Sequence, residues 1–146
     1  MITKPSRRSW IHIGAALALV VAAGSSYSNV ALAGDVKVAL TGSQEVPANT
    51  SAATGTGTIT VSDDMSVHGS VTTKGITGTM AHIHVAAAGA NGPVAIALEK
   101  NGDTYSVPAN AKLTHEQFES FKAGNLYVNV HSAEHPGGEL RAQLKP

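Results

Sequence analysis

Three histidines lie in two short segments whose residue pattern is typical of β-strands. His82 and His84 belong to the segment AHIHV at positions 81–85, and His131 ends the segment YVNVH at positions 127–131. Polar and apolar residues alternate in both segments, and residues i and i+2 of a strand point to the same face of a sheet. Adjacent strands lie about 4.8 Å apart, and imidazole nitrogens bind metals such as zinc at about 2.0–2.1 Å. If the two strands are neighbours, the three imidazoles therefore predict a mononuclear metal site.

The ligand set favours copper. The chain has no cysteine, so thiolate ligands are excluded and the predicted site offers imidazole nitrogen. Such a set suits copper(II), zinc or nickel, and copper binds most tightly in the usual affinity order of divalent metals. We therefore expect one copper ion per domain, with zinc as the alternative. The His-x-His strand pair is also similar to the copper site of copper–zinc superoxide dismutases, an analogy at the level of the fold.

Two further side chains are candidate ligands. Met80 lies two residues before His82 on the same predicted face, so its thioether is a candidate soft ligand for copper(I), although packing is the role that the sequence favours. His135 follows His131 by four residues and is either a fourth ligand or an uninvolved loop residue. Two other histidines are expected to be ordinary surface residues: His68 and His115.

Other polar residues are candidates for accepting a hydrogen bond from the ligand imidazoles and so orienting them. A metal-bound imidazole usually donates its second N–H to a carboxylate, a carbonyl or water. Asn129 and Glu139 are candidates for this role, and so are Glu45 and Glu134. Arg141 has two interpretations, as a charge that steers anions towards the site or as an ordinary surface residue of the last strand.

The first 33 residues are typical of an export signal. Lys4, Arg7 and Arg8 form a basic segment, an apolar run follows over 11–24, and ALA at positions 31–33 matches an A-x-A cleavage site. The run is shorter than the roughly 20 residues of a membrane span. We predict cleavage after Ala33 and a periplasmic or secreted protein with no membrane anchor after cleavage. Ordinary secretion is the favoured route, and the two arginines leave twin-arginine export as the alternative.

The composition of residues 34–146 excludes several classes of partner. These 113 residues fit a single domain and hold seven basic and ten acidic residues, a net charge of −3 with histidine neutral. Nucleic acids and anionic membranes attract clustered lysine and arginine, so neither is expected as a partner. Hydrolysis is not expected either, because the chain has no Gly-x-Ser-x-Gly and no His-Glu-x-x-His motif.

Alternating segments predict an all-β domain. Strands are expected at 36–40, 54–61, 65–71, 80–85, 94–98, 104–107, 126–131 and 139–144. Asn101 and Gly102 predict a two-residue hairpin turn. One short helix is expected after Thr114, which forms a capping box with Gln117, and Gly124 is expected to end it. The predicted fold is an antiparallel Greek-key β-sandwich or barrel, immunoglobulin-like or superoxide-dismutase-like, with one short helix.

Several motifs together resemble the chordin-type (CHRD) domain. They are Leu40, Gly42 and QEVP at 44–47; AHIH at 81–84; Gly89 and NGPV at 91–94; NVHS at 129–132; and Pro136 with GELR at 138–141. The resemblance spans about 36–144, with mild departures at Leu140 and Ala142, where the family more often has isoleucine and glycine. Members are secreted bacterial proteins and animal extracellular proteins that bind growth factors. The resemblance implies an immunoglobulin-like β fold and no established enzymatic activity, so function has to be argued from the site.

Three functions are consistent with these observations. We favour an exported copper-binding protein with a mononuclear histidine site, for copper handling or protection. The first alternative is a non-enzymatic extracellular module that binds another protein or a polysaccharide. The second is a copper-only redox enzyme of the superoxide dismutase type, and an enzyme is less favoured than a carrier.

Overall fold

The computed structural model describes residues 34–146, and the predicted export signal at 1–33 lies outside the described residues. The elements in chain order are β1 Asp35–Thr41, a 3₁₀ turn Gly42–Gln44, β2 Thr54–Val61, β3 Val67–Lys74, β4 Gly78–Val85, β5 Val94–Ala97, β6 Glu99–Asn101, β7 Thr104–Ser106, α1 His115–Lys122, β8 Leu126–Ser132 and β9 Leu140–Leu144. Within this range, no helix is long and apolar enough to cross a membrane.

All nine strands belong to one antiparallel sheet that curls into a nearly closed barrel. The strand order is β5-β4-β8-β9-β1-β2-β3-β7-β6. The two end strands of this order, β5 and β6, are separated in sequence by Leu98 alone. Leu98 donates its N–H to the carbonyl of Ala81 in β4 at 2.9 Å, while β6 pairs with β7. One bent stretch of chain therefore links the two edges of the sheet, and the predicted antiparallel all-β fold with a short helix is confirmed.

The core fills the inside of the barrel because apolar residues alternate along the strands. In β1 the inward residues Val36, Val38 and Leu40 alternate with exposed ones. In β2 the buried residues Ile59 and Val61 likewise contrast with the exposed threonines Thr54 and Thr56. The other strands contribute further apolar residues to the same core: Val67, Val71, Ala81, Ile83, Ile96, Tyr105, Leu126, Val128, Val130, Leu140, Ala142 and Leu144.

The predicted helix begins and ends where its caps require. The Thr114 side chain accepts a hydrogen bond from the Gln117 N–H at 3.2 Å, and the Gln117 side chain accepts one from the Thr114 N–H at 2.9 Å. This reciprocal pair satisfies two N–H groups that the first helical turn leaves free. Gly124 follows the helix at φ +73°, a conformation that glycine adopts without steric cost.

The hairpin between β6 and β7 differs from its prediction by one residue. Asn101 pairs with Thr104, so the two turn residues are Gly102 and Asp103 rather than Asn101 and Gly102. Gly102 has φ +60°, which favours glycine at the first turn position. The dipeptide signal located the hairpin correctly, and strand pairing extended one residue further into it.

Strand β8 is buried on both faces, which the alternating pattern alone does not predict. All seven residues of Leu126–Ser132 are buried, including the polar ones that point away from the core. Three loops, at 42–53, 86–93 and 133–139, cover this outer face. Asn91 Nδ2, for example, donates to the Val46 carbonyl at 2.7 Å and so joins two of these loops. The polar outer face of β4, β8 and β9 is therefore a second, enclosed layer.

Candidate metal centre

The strand register places the three predicted ligands on one side of the sheet. His82 lies opposite Asn129, and His84 lies opposite Tyr127, across the β4–β8 pair. His131 lies opposite Met80 at the end of the same pair. Register partners in an antiparallel sheet share a face, so all of these side chains project into the outer polar layer. The two histidine strands are direct neighbours.

The three imidazoles lie within coordination range of a common point. One nitrogen of each of His82, His84 and His131 lies within 4.8 Å of those of the other two. His82 Nδ1 is 3.0 Å from His131 Nε2, and the ring centroids of His82 and His84 are 5.4 Å apart at an angle of 89°. Metal–nitrogen bonds of about 2.0–2.1 Å would bring such nitrogens roughly 3–4 Å apart around one ion, as in zinc sites. The ring positions need only small side-chain adjustments to reach that spacing.

Two backbone carbonyls fix which nitrogens of the site are available. His84 Nδ1 is 2.9 Å from the Gly92 carbonyl, and His131 Nδ1 is 2.9 Å from the Pro136 carbonyl. A carbonyl only accepts hydrogen bonds, so both Nδ1 atoms carry the proton and both Nε2 atoms present a lone pair. His82 Nδ1 must then donate to His131 Nε2. The two hydrogen bonds to the Gly92 and Pro136 carbonyls are of the kind that orients a metal-binding imidazole.

His84 Nε2 is the most informative single atom of the site. It is buried and has no hydrogen-bond partner among residues 34–146. A buried polar atom normally has a partner, and leaving one unpaired costs about 1–3 kcal/mol. The lone pair of this nitrogen is directed into the histidine cluster, where a metal ion would satisfy it.

Burial favours the neutral forms of His82 and His131. Burial lowers the pKa of His82 below 6.5, and the positive charges that His131 and His84 would carry lower it further. Burial also lowers the pKa of His131, while its hydrogen bond to the Pro136 carbonyl acts in the opposite direction. A neutral imidazole is the metal-binding form, so the surroundings favour ligands over cations.

The cluster reaches solvent on one side only. His84 and His131 are buried, whereas His82 is only partly buried. Met80 lies beside them but outside the core cluster, and half of its surface is exposed. The open edge of the site consists of Met80 and His82.

Arg141 is buried, so neither of its predicted roles is correct. It is 1% exposed, and its guanidinium lies 3.4 Å from the centre of the Tyr127 ring. Strand β4 lies on the other side of β8 from β9, and His84 stacks on Tyr127 at a centroid distance of 4.8 Å and an angle of 3°. Tyr127 therefore lies between the Arg141 guanidinium and the His84 imidazole, and Arg141 contacts the histidine cluster through that ring.

A buried carboxylate lies behind Asn129 on the side away from β4. Glu45 is 5% exposed, and burial raises its pKa above 4.5; the Arg141 charge, the Val46 N–H and the Asn129 amide oppose that rise. Gly138 closes this region at φ +133°, where an added Cβ would collide with Glu45 and the Asn129 amide. The role predicted for Asn129 and Glu45, accepting the second N–H of an imidazole, is filled at His84 and His131 by the Gly92 and Pro136 carbonyls instead.

Three other candidates lie outside the histidine cluster. Among residues 34–146, the potential metal ligands that come together are the three strand histidines, without His135. The His135 N–H donates to Ser132 Oγ at 3.1 Å and orders the loop before β9. Glu139 accepts a hydrogen bond from Ser51 Oγ at 2.6 Å and joins two loops, and Glu134 is an exposed residue of the same region. His68 and His115 are exposed, as predicted.

Sequence reasoning missed the groups that orient the imidazoles. Tyr127 shares the polar face of β8 with Asn129 and His131, and the period-two pattern could have identified it. The Gly92 and Pro136 carbonyls carry no side-chain signal. Gly92 is nonetheless a sterically required residue, because a Cβ there would collide with the Val85 carbonyl.

The comparisons with known proteins give one result. The family model of the CHRD domain matches residues 36–144, which is almost all of the part described. No curated protein and no solved structure matches the chain. The matched range contains every residue of the histidine cluster and the loops that hold it. The chain therefore belongs to the CHRD domain family.

Proposed function

We propose that this protein binds one copper ion at His82, His84 and His131 and serves in copper handling or protection outside the cytoplasm. The observation that carries the proposal is the buried lone pair of His84 Nε2, which has no partner among residues 34–146 and lies in a cluster of three imidazoles. The outer hydrogen bonds from His84 and His131 to backbone carbonyls support it, because they keep the proton on Nδ1 and leave an Nε2 lone pair on each ring. A bound ion would replace the hydrogen bond that His131 Nε2 accepts from His82.

The chemistry of the ligand set supports copper as the ion. Neutral imidazole suits copper and zinc, and copper binds more tightly to a given nitrogen site. The export signal predicted over 1–33 would place the protein in the periplasm or outside the cell. An exported copper site that is enclosed on three sides suits retention or delivery of the ion better than rapid exchange of small substrates.

The test is copper binding by the purified protein and by matched histidine variants. We expect about one copper ion per chain and a nitrogen-rich copper(II) EPR spectrum. His82→Ala and His84→Ala should each lower copper(II) affinity by at least about a hundredfold, since even loss of an outer partner costs roughly 10–100-fold. His68→Ala removes an exposed histidine on β3 and is the matched control, expected to bind like the wild type.

Copper uptake that is weak, or that is equal in all three variants, would refute the site and favour the alternative of a protein- or polysaccharide-binding module. A superoxide assay on the copper-loaded protein distinguishes the remaining alternative, a copper-only redox enzyme, from a copper carrier. Turnover that is lost together with copper in His84→Ala would indicate a copper-only redox enzyme.

A further inference from the structure

Met80 is an exposed apolar residue beside a cluster of metal-binding groups. Among residues 34–146, the exposed large apolar side chains are Met80 and Val94, each 50% exposed. A single exposed apolar residue is common on protein surfaces and carries no meaning alone. The position of Met80, directly beside His131 and on the face of His82, is what distinguishes it.

The strand register places Met80 next to two of the three histidines, His82 and His131. Met80 is the register partner of His131, and side chains directly opposite each other across two strands have Cβ atoms about 4.5–5.5 Å apart. The His82 and His131 rings, which neighbour Met80 on this face, are joined by a hydrogen bond of 3.0 Å between His82 Nδ1 and His131 Nε2, which an entering ion would replace. Methionine has three rotatable side-chain bonds, and exposure leaves them free to turn the sulfur towards that pair.

We propose that Met80 is a copper(I) ligand, and that the site takes up cuprous ion at its open edge through Met80, His82 and His131. This inference rests on the proposed function. Thioether sulfur is a soft ligand that selects copper(I), whereas imidazole binds both oxidation states of copper. The three imidazoles serve copper(II), and the Met80 thioether gives the same site a preference for the reduced ion.

The exposure pattern supports entry at this edge. His84 and His131 are buried behind the loops that supply their carbonyl partners, and the Tyr127–Arg141 stack closes the side next to His84. Within the histidine cluster His82 reaches solvent, and so does its neighbour Met80. An arriving ion therefore meets the thioether and the His82 imidazole before the enclosed His84.

The decisive experiment compares the affinities of copper(I) and copper(II) in the purified protein, measured anaerobically by competition with a copper(I) chelator and aerobically with a copper(II) chelator. Met80→Leu keeps the size and apolar character of the side chain and removes only the sulfur. We expect it to lower copper(I) affinity by about tenfold or more and to leave copper(II) affinity within about twofold of the wild type. Met65→Leu, in the turn before β3, is the matched control and should change neither affinity.

X-ray absorption of the copper(I) form gives a direct check, because the wild type and Met65→Leu should show a sulfur scatterer that is absent in Met80→Leu. Equal copper(I) affinity in wild type and Met80→Leu would overturn the inference and leave the copper(II) proposal standing. An equal loss of both affinities would also overturn it, since it would indicate a packing role. A wild type that binds neither ion would instead refute the proposed function itself.

Discussion

Arg141 shows how a single charged residue is held inside this protein. Its guanidinium donates to Asn91 Oδ1 at 3.2 Å, to the Ala87 carbonyl at 3.3 Å and to Gln143 Oε1 at 3.3 Å. The Tyr127 ring covers one of its faces, and the positive charge of Arg141 opposes the rise that burial causes in the pKa of Glu45. A buried cation is tolerated only when its donors are paired, so this residue ties the loop at 86–93 to the sheet.

Replacing Arg141 should therefore destabilise the whole domain. Arg141→Met removes the charge, its three hydrogen bonds and its contact with the Tyr127 ring. We expect the free energy of unfolding to fall by at least about 1.5–3 kcal/mol, the usual contribution of one hydrogen bond to a charged group. Urea denaturation measures it. Lys122→Met, which breaks the surface ion pair with Glu119, is the control and should change stability little. A loss in Arg141→Met no larger than in the control would contradict a stabilising role of the buried guanidinium.

At the level of residues, sequence periodicity predicted which side chains share a face but not what covers them. The i, i+2 spacing placed His82 and His84 together correctly because strand geometry alone determines it. The burial of Arg141 depends on a loop that folds over the outer face, where Asn91 and Ala87 accept its hydrogen bonds. Loop conformation leaves no periodic signal, so the sequence could not exclude that Arg141 is an ordinary surface residue. For the same reason, the hydrogen bonds that the Gly92 and Pro136 carbonyls make to the imidazoles were not predicted.

Among the elements, the bent chain of β5 and β6 determines how the barrel closes. The sequence predicted one strand at 94–98, and the structure has two short strands on either side of Leu98. β5 pairs with β4, and β6 pairs with β7, so the chain changes partners at this residue. Strand propensity identified the segment, but which strand it pairs with depends on how far the whole sheet curls. That property belongs to the packed core and not to the local sequence.

Leu98 is expected to contribute through both its backbone and its side chain. Leu98→Ala removes part of a buried side chain and should lower the free energy of unfolding by about 2–3 kcal/mol. Leu98→Pro also removes the N–H that donates to Ala81 and should cost a further 1–3 kcal/mol, roughly that of an unpaired buried carbonyl. Equilibrium urea denaturation of the two variants separates these effects. If both variants lose the same stability, the hydrogen bond across the barrel edge contributes nothing.

In the whole molecule, the sheet separates two layers. Its inner face carries the apolar core, and its outer face carries the histidine cluster and the buried Arg141. The buried loop residue Glu45 belongs to the outer layer. Any ion that binds only the folded protein stabilises it by mass action, about 2.7 kcal/mol at a free concentration one hundred times the Kd. If copper binds as proposed, the site and the fold are thermodynamically linked, and protons compete with the ion for the same nitrogens.

This linkage gives a pH dependence with a definite sign. The pKa of His82 is lowered below 6.5 in the folded protein, by burial first and by His131 and His84 next. As pH falls through 6.5, the unfolded chain takes up protons before the folded one, so the metal-free protein loses stability below that pH and keeps it above. Thermal unfolding from about pH 7.5 to about pH 5 should show this loss in the wild type. The loss should be smaller in His82→Gln and unchanged in His68→Gln. Saturating copper should raise Tm most at the upper end of this range, because the ion then displaces the fewest protons. A His82→Gln protein whose Tm follows the same pH profile as the wild type would show that His82 does not cause the loss of stability at low pH.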